Sequence, residues 1–111
     1  MTYQFDHVAQ QVEDIAAAVE WYITTIPGSI VLYQDETWAF VEAGGVRLAF
    51  VTKDQHPDHI AWRVTATELE ELAAKLGKEI KNHRDKSRSI YVEGPGGRAV
   101  EVICMQGTRW E

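Results

Sequence analysis

The chain has 111 residues, a formal net charge of −6, 45% hydrophobic residues and 25% charged residues. That is the profile of an ordinary globular protein with material for one core, not for two independent ones. The acidic balance argues against nucleic acid as a partner, no apolar run approaches the roughly 20 residues that crossing a bilayer requires, and the polar residues after Met1 do not read as a secretory leader.

In chain order, Phe5 to Val12 has strand composition, with polar residues at most alternate positions. Asp14 is placed to cap a helix with Ile15, Val19, Tyr22 and Ile26 on one face, ended by Pro27-Gly28. Three strand-like runs follow, SIVLY (29–33), TWAFVEA (37–43) and VRLAFVT (46–52). Gly44-Gly45 marks the turn between the last two, because glycine reaches positive φ without steric cost. The polar KDQHPD (53–58) reads as a hinge.

The second half repeats the order. HIAWRV (59–64) is a strand, and Thr67 with Glu70 has the form of a capping box. Leu69, Leu72, Ala73 and Leu76 follow at helical spacing, with Gly77 as the stop. Strand-like runs return at EIKNH (79–83), SIYVEG (89–94) and AVEVICM (99–105), with Gly96-Gly97 before the last and QGTRWE (106–111) as a tail. Each half therefore reads β-α-β-β-β.

The halves are also registered. DHVA at 6–9 returns as DHIA at 58–61, His7 and His59 stand 52 positions apart, and the same offset carries Gly44-Gly45 onto Gly96-Gly97. Recurrence at a fixed offset indicates internal duplication, with two units that share one core because neither can bury its sheet face alone. Cys104 is the only cysteine. An intrachain disulfide is thus impossible, which suits a reducing, cytoplasmic setting, and with no basic neighbour in sequence the thiol reads as buried and inert.

The repeat order and the two DH(V/I)A openings resemble the vicinal oxygen chelate superfamily, which includes glyoxalase I, extradiol dioxygenases, fosfomycin-resistance enzymes and bleomycin-binding proteins. The resemblance covers nearly the whole chain. It implies an α+β fold in which two βαβββ modules form an open cup-shaped eight-stranded mixed sheet. Residues 1–111 would be a single domain of two repeated modules, roughly 1–53 and 54–111, often completed as a homodimer.

In that superfamily the metal ligands come from the first and last strand of each module. Carried over, those positions are His7, His59, Ala49 and Glu101, so by the resemblance three of the four corners can bind metal and Ala49 cannot. Two imidazoles and one carboxylate suit Fe(II), Mn(II) or Zn(II) and leave positions open for substrate. Alternation would put His7, Ala9 and Gln11 on the cup face, with His59, Ala61 and Arg63, and with Ala99, Glu101 and Ile103. Taken singly, each would pass as an ordinary strand residue. Glu101, however, interrupts the apolar AVEVICM, where a carboxylate is costly to bury without a partner. Ala49 departs from the four-ligand site that the resemblance gives glyoxalase I.

The segment HRDKSRSIYVEGPGGRAVE (83–101) resembles the ring-cleaving extradiol dioxygenase signature. By that resemblance Glu101 is the iron ligand, while His83 and Tyr91 are catalytic and hydrogen-bond the bound catecholate and the oxygen intermediates. Gly94 stands where the pattern prefers Asp, Glu, Asn, Thr or Ala, and TWAFVEAGG (37–45) lacks the histidine that many such enzymes carry in the preceding module. The same loop resembles fosfomycin-resistance thiol transferases, through Lys81, Arg84, Ser89, Tyr91, Pro95 and Gly97. There Lys81 and Tyr91 would contact a phosphonate, but Asp85 and Lys86 replace the cation-binding positions, and Ala9 stands where a threonine is expected.

Lys81, Arg84, Lys86 and Arg88 gather four cations within eight residues of an acidic chain, which favours an anionic small-molecule substrate. Lys81, Arg84, Arg63 and Trp62 are the candidate substrate-binding residues. Tyr33, Trp38 and Trp62 either wall an aromatic pocket or pack the sheet. Three readings follow. They are an extradiol-type dioxygenase, a Mn- or Zn-dependent transferase, lyase or isomerase, and a metal-free binding protein of the bleomycin-sequestering kind.

Overall fold

The structure is a computed structural model and describes residues 3–83 and 85–105. Its elements are β1 (Gln4–Gln11), α1 (Ile15–Thr25), β2 (Ile30–Gln34), β3 (Trp38–Ala43), β4 (Val46–Val51), β5 (His59–Arg63), α2 (Ala66–Leu76), β6 (Lys81–Asn82), β7 (Arg88–Glu93) and β8 (Ala99–Cys104). The eight strands form one hydrogen-bonded mixed sheet in the order β2-β3-β4-β1-β5-β8-β7-β6. The sheet is open, with β2 and β6 as its edges, so the expected α+β class and eight-stranded mixed sheet are found. Among the described residues, no helix is long and apolar enough to cross a membrane.

The chain divides into two compact units. One is His7–His59; the other joins Ile60–Glu111 with Met1–Asp6. In the first, β1 runs parallel to β4 and pairs Val8 with Leu48 and Ala9 with Ala49. A parallel neighbour cannot follow through a tight turn, so α1, β2 and β3 lie between them in sequence. Asp14 caps α1 as expected, its Oδ1 accepting from Ala17 N at 3.0 Å. Under the helix, Ile15 and Val19 pack with Ala39, Val41 and Phe50. The β3–β4 hairpin closes through Gly44 and Gly45 at φ 59 and 80, the left-handed values this turn demands.

In the second unit β5, β8, β7 and β6 follow one another, and α2 packs through Leu69 and Ala73 onto Val64, Ile90, Val102 and Cys104. Cys104 is buried, as the apolar run implied. The capping box is real but lies two residues earlier than expected. Thr65 Oγ1 accepts from Glu68 N at 3.2 Å, and Glu68 Oε1 accepts from Thr65 N at 2.9 Å. The sequence carries the T-x-x-E spacing twice, at 65–68 and at 67–70. Thr65 takes the role because its backbone is still extended as it leaves the buried Val64. Two further expectations are corrected. Leu76 is 45% exposed and lies off the core face, and the strand expected over 79–83 contracts to Lys81–Asn82, which pairs only with β7. The expected tail, 106–111, lies outside the described residues.

Candidate metal centre

Within His7–His59, the two histidine rings are buried and stand 5.5 Å apart between centroids at 73°. Phe40 meets His7 edge-on at 5.3 Å. His59 Nδ1 lies 2.7 Å from Pro57 O. A carbonyl only accepts, so Nδ1 carries the proton and Nε2 presents its lone pair, the arrangement that orients a ligating histidine. The segment before His59 is anchored by hydrogen bonds to the end of β1. Gln11 N donates to Asp58 Oδ1 at 2.6 Å, and the Gln11 side-chain amide donates to His56 O at 2.8 Å and to Lys53 O at 3.4 Å. Gln11 was expected to line the cup; it is exposed and sews the end of β1 to the segment leading into β5. Nothing in its spacing signalled that role, because the partners are backbone carbonyls more than 40 residues away.

In the other unit, Tyr91 and Glu101 are Cα partners across β7 and β8. Glu101 is buried, and Tyr91 hydrogen-bonds to it. Burial raises the Tyr91 phenol first, then the negative charge of Glu101, then that hydrogen bond. The phenol therefore stays protonated and acts as a donor. His83 Nε2 lies 2.7 Å from Ser89 Oγ and 3.6 Å from Glu101 Oε2. The loop that presents His83 is tied to itself. His83 N donates to Ser87 O at 2.9 Å, Lys86 N donates to His83 O at 3.0 Å, and Asp85 Oδ1 accepts from Ser87 N at 2.9 Å and from Ser87 Oγ at 2.5 Å.

His7, His59 and Glu101 form a candidate metal-binding triad, all three buried, with one ligand atom from each within 4.8 Å of the others. Metal–ligand bonds to nitrogen and oxygen are about 2.0–2.2 Å long, so ligands of one ion stand roughly 3–4 Å apart. The donor set fits, with neutral nitrogens and one carboxylate for a borderline divalent ion. No other such group of three occurs among the described residues. Ala49, at the fourth corner, is buried and is a Cα partner of Ala9 and Phe40.

The remaining candidates make contacts of their own. Arg63 Nε is 3.9 Å from the buried Asp6, and Arg63 Nη2 donates to Gln4 Oε1 at 3.2 Å. Trp62 is exposed and meets Phe5 edge-on at 5.9 Å. Lys81 is exposed on β6, and Arg88 pairs with Glu70 at 3.7 Å. Arg84 lies outside the described residues. Gly94, which departs from the dioxygenase signature, has a steric reason. A Cβ there would sit 2.5 Å from Val100 Cγ2.

No family model and no curated protein matches the sequence. Solved structures do match in fold. A hypothetical protein from Bacillus halodurans has a TM-score of 0.76 at 15% identity, over 97% of this chain and 98% of the other. Methylmalonyl-CoA epimerase gives 0.72 at 16% identity, over 97% and 98%. Homoprotocatechuate 2,3-dioxygenase from Brevibacterium fuscum gives 0.69 at 18% identity, over 93% of this chain, which spans only 32% of that enzyme. A glyoxalase/bleomycin resistance protein/dioxygenase superfamily member from Vibrio splendidus gives 0.65 at 15% identity, over 93% and 99%. These likenesses, with the strand order and the repeated βαβββ units, give this chain the vicinal oxygen chelate fold.

Proposed function

We propose that the chain is a divalent-metal-dependent enzyme that acts on a small oxygen-bearing anionic or catecholic substrate, with His7, His59 and Glu101 as its metal ligands. The observation that carries this reading is the burial of three ionisable side chains whose ligand atoms lie within 4.8 Å of one another. A buried carboxylate is costly without charge compensation, and a cation would supply it. When bound, Fe(II), Mn(II) or Zn(II) would act as a Lewis acid on the oxygens of the substrate.

The chain's own residues then divide the work. The Pro57 carbonyl holds the His59 tautomer, and Tyr91 donates to Glu101 and orients the carboxylate. His83, partly exposed and beside both Ser89 and Glu101, would carry the proton. Lys81, Arg84, Arg63 and Trp62 complete the proposal as substrate contacts. The same reading takes 1–111 as a single domain of two modules, acting as a homodimer in a reducing compartment.

The presence of His83 and Tyr91 together at Glu101 favours extradiol-type dioxygenase chemistry. A second reading, a Mn- or Zn-dependent isomerase, lyase or transferase, draws on the full-length likeness to methylmalonyl-CoA epimerase. Metal analysis of anaerobically purified protein, followed by oxygen uptake against a panel of catechols, separates the two. Bound iron with oxygen consumption supports the first. Manganese or zinc without oxygen uptake supports the second. Protein that takes up no metal after supplementation sinks both and supports a binding protein.

A further inference from the structure

At one nitrogen, Nε2, His83 meets two buried groups that ask opposite things of it. Ser89 lies on β7 two residues before Tyr91, and strand alternation puts both on one face. Across the hairpin, Ser89 is the Cα partner of Ile103, and Tyr91 is the partner of Glu101. Ser89 is 0% exposed, whereas the His83 side chain is 21% exposed. His83 Nε2 lies 2.7 Å from Ser89 Oγ and 3.6 Å from Glu101 Oε2.

A carboxylate only accepts, so Glu101 favours a proton on Nε2. A serine hydroxyl can accept or donate, but once buried its own proton needs an acceptor. Among the described residues, the one hydrogen-bond partner of Ser89 Oγ is His83 Nε2. Satisfying the hydroxyl proton therefore requires a lone pair on Nε2, which leaves the ring's proton on Nδ1. Distance decides between the two demands, because 2.7 Å is a short hydrogen bond and 3.6 Å lies beyond hydrogen-bond range. The backbone beneath the ring is equally constrained. His83 N donates to Ser87 O, Lys86 N donates to His83 O, and Lys86 is held at φ 75, a left-handed value that a lysine rarely adopts.

We propose that Ser89 is the positioning residue of His83: its hydroxyl keeps the neutral ring in the Nδ1–H form and turns an Nε2 lone pair, not an N–H, toward Glu101. The inference rests on the reading of His83 as proton carrier and gives that role a direction. A group that takes up a proton must offer a lone pair, and Ser89 keeps one on Nε2. Without the hydroxyl, Glu101 would draw the ring into the Nε2–H form, and the lone pair would move to Nδ1.

Long-range proton–nitrogen correlation spectra of protein labelled with nitrogen-15 histidine read the tautomer of each ring directly. They are recorded at about pH 8.5, where an ordinary imidazole is neutral, with the His83 signals assigned by their loss in His83→Gln. In the wild type Nδ1 should be protonated and Nε2 unprotonated. Ser89→Ala should shift the ratio of the two forms toward Nε2–H by roughly five- to tenfold, the strength of one hydrogen bond. Ser89→Thr, which keeps a hydroxyl, should restore the wild-type ratio. A His83 ring in the Nε2–H form in the wild type overturns the proposal, whether or not any variant folds. So does a ratio that Ser89→Ala leaves unchanged while lowering Tm, the result expected of a hydroxyl that only packs. The spectra need no bound cation, so the metal reading fails separately, by an absence of Mn(II) uptake in calorimetric titration of the wild type.

Discussion

Tyr91 and Glu101 face each other across β7 and β8, and the phenol hydrogen-bonds the carboxylate. The pairing joins a residue from one strand of a hairpin to a residue directly opposite, so the turn at Gly94–Gly97 decides whether they meet. A buried carboxylate depends on such donors. Removing one partner leaves the other with an unmet desolvation penalty.

Tyr91→Phe should therefore destabilise the metal-free protein by about 1–3 kcal/mol. Urea denaturation with and without a divalent ion checks this. If a cation binds Glu101, the loss should shrink in its presence, because the ion replaces the compensation that the phenol provided. An equal loss under both conditions would count against Glu101 as a ligand.

Replacing any one of His7, His59 or Glu101 with Ala should weaken Mn(II) or Co(II) binding by roughly 100-fold or more, since losing even a group that only hydrogen-bonds a ligand costs about 10–100-fold. Titration calorimetry reads the effect directly. His83→Ala and Tyr91→Phe should fall in the smaller range. A variant set in which all five changes have the same modest effect would contradict the division into ligands and supporting residues.

Gly94→Ala should destabilise the fold by about 1–3 kcal/mol through overpacking, because the new Cβ would lie 2.5 Å from Val100 Cγ2. The backbone at Gly94 is extended (φ −98), so the cost is contact and not strain. Pairing the change with Val100→Ala should recover much of it, and thermal denaturation of the four proteins completes the cycle. If the double variant is no better than the single, Val100 is not the obstacle.

Asp35→Asn makes a pH-dependent prediction. Burial pushes the carboxyl up, but the hydrogen bond from Tyr33 and those from Thr37 and Trp38 outweigh it and hold the group well below the usual carboxylate range. A depressed value in the folded state means the stabilisation is present above the unfolded carboxyl pKa, about 3.9, and is lost as pH falls below it. The wild type should be more stable than the variant at neutral pH, and the gap should narrow as pH falls below the unfolded carboxyl value. Denaturation midpoints measured from pH 7 down to pH 3 give the comparison. A gap independent of pH would show that Asp35 is not held as an anion.

Much of the fold was legible in the chain because its cues are local. The Asp14 cap, the Gly44-Gly45 turn, the Gly77 stop and the 52-residue offset between His7 and His59 each depend on residues close together or on a repeat. Where two local signals overlapped, at Thr65–Glu68 and Thr67–Glu70, spacing alone could not choose. The exit of the chain from β5 decided it.

The surroundings of the candidate ligands belong to the tertiary structure. Neither the Pro57 carbonyl on His59, the edge of Phe40 on His7, nor the Ser89 hydroxyl on His83 follows from composition or period. A side chain's partner across a sheet is set by register, and register is a property of the assembled strands, not of either strand alone. By itself the sequence determined which residue types were available at repeated positions. Folding determined that Tyr91 stands opposite Glu101, that Gln11 reaches back to the segment before β5, and that the ring of Trp38 turns away from α1.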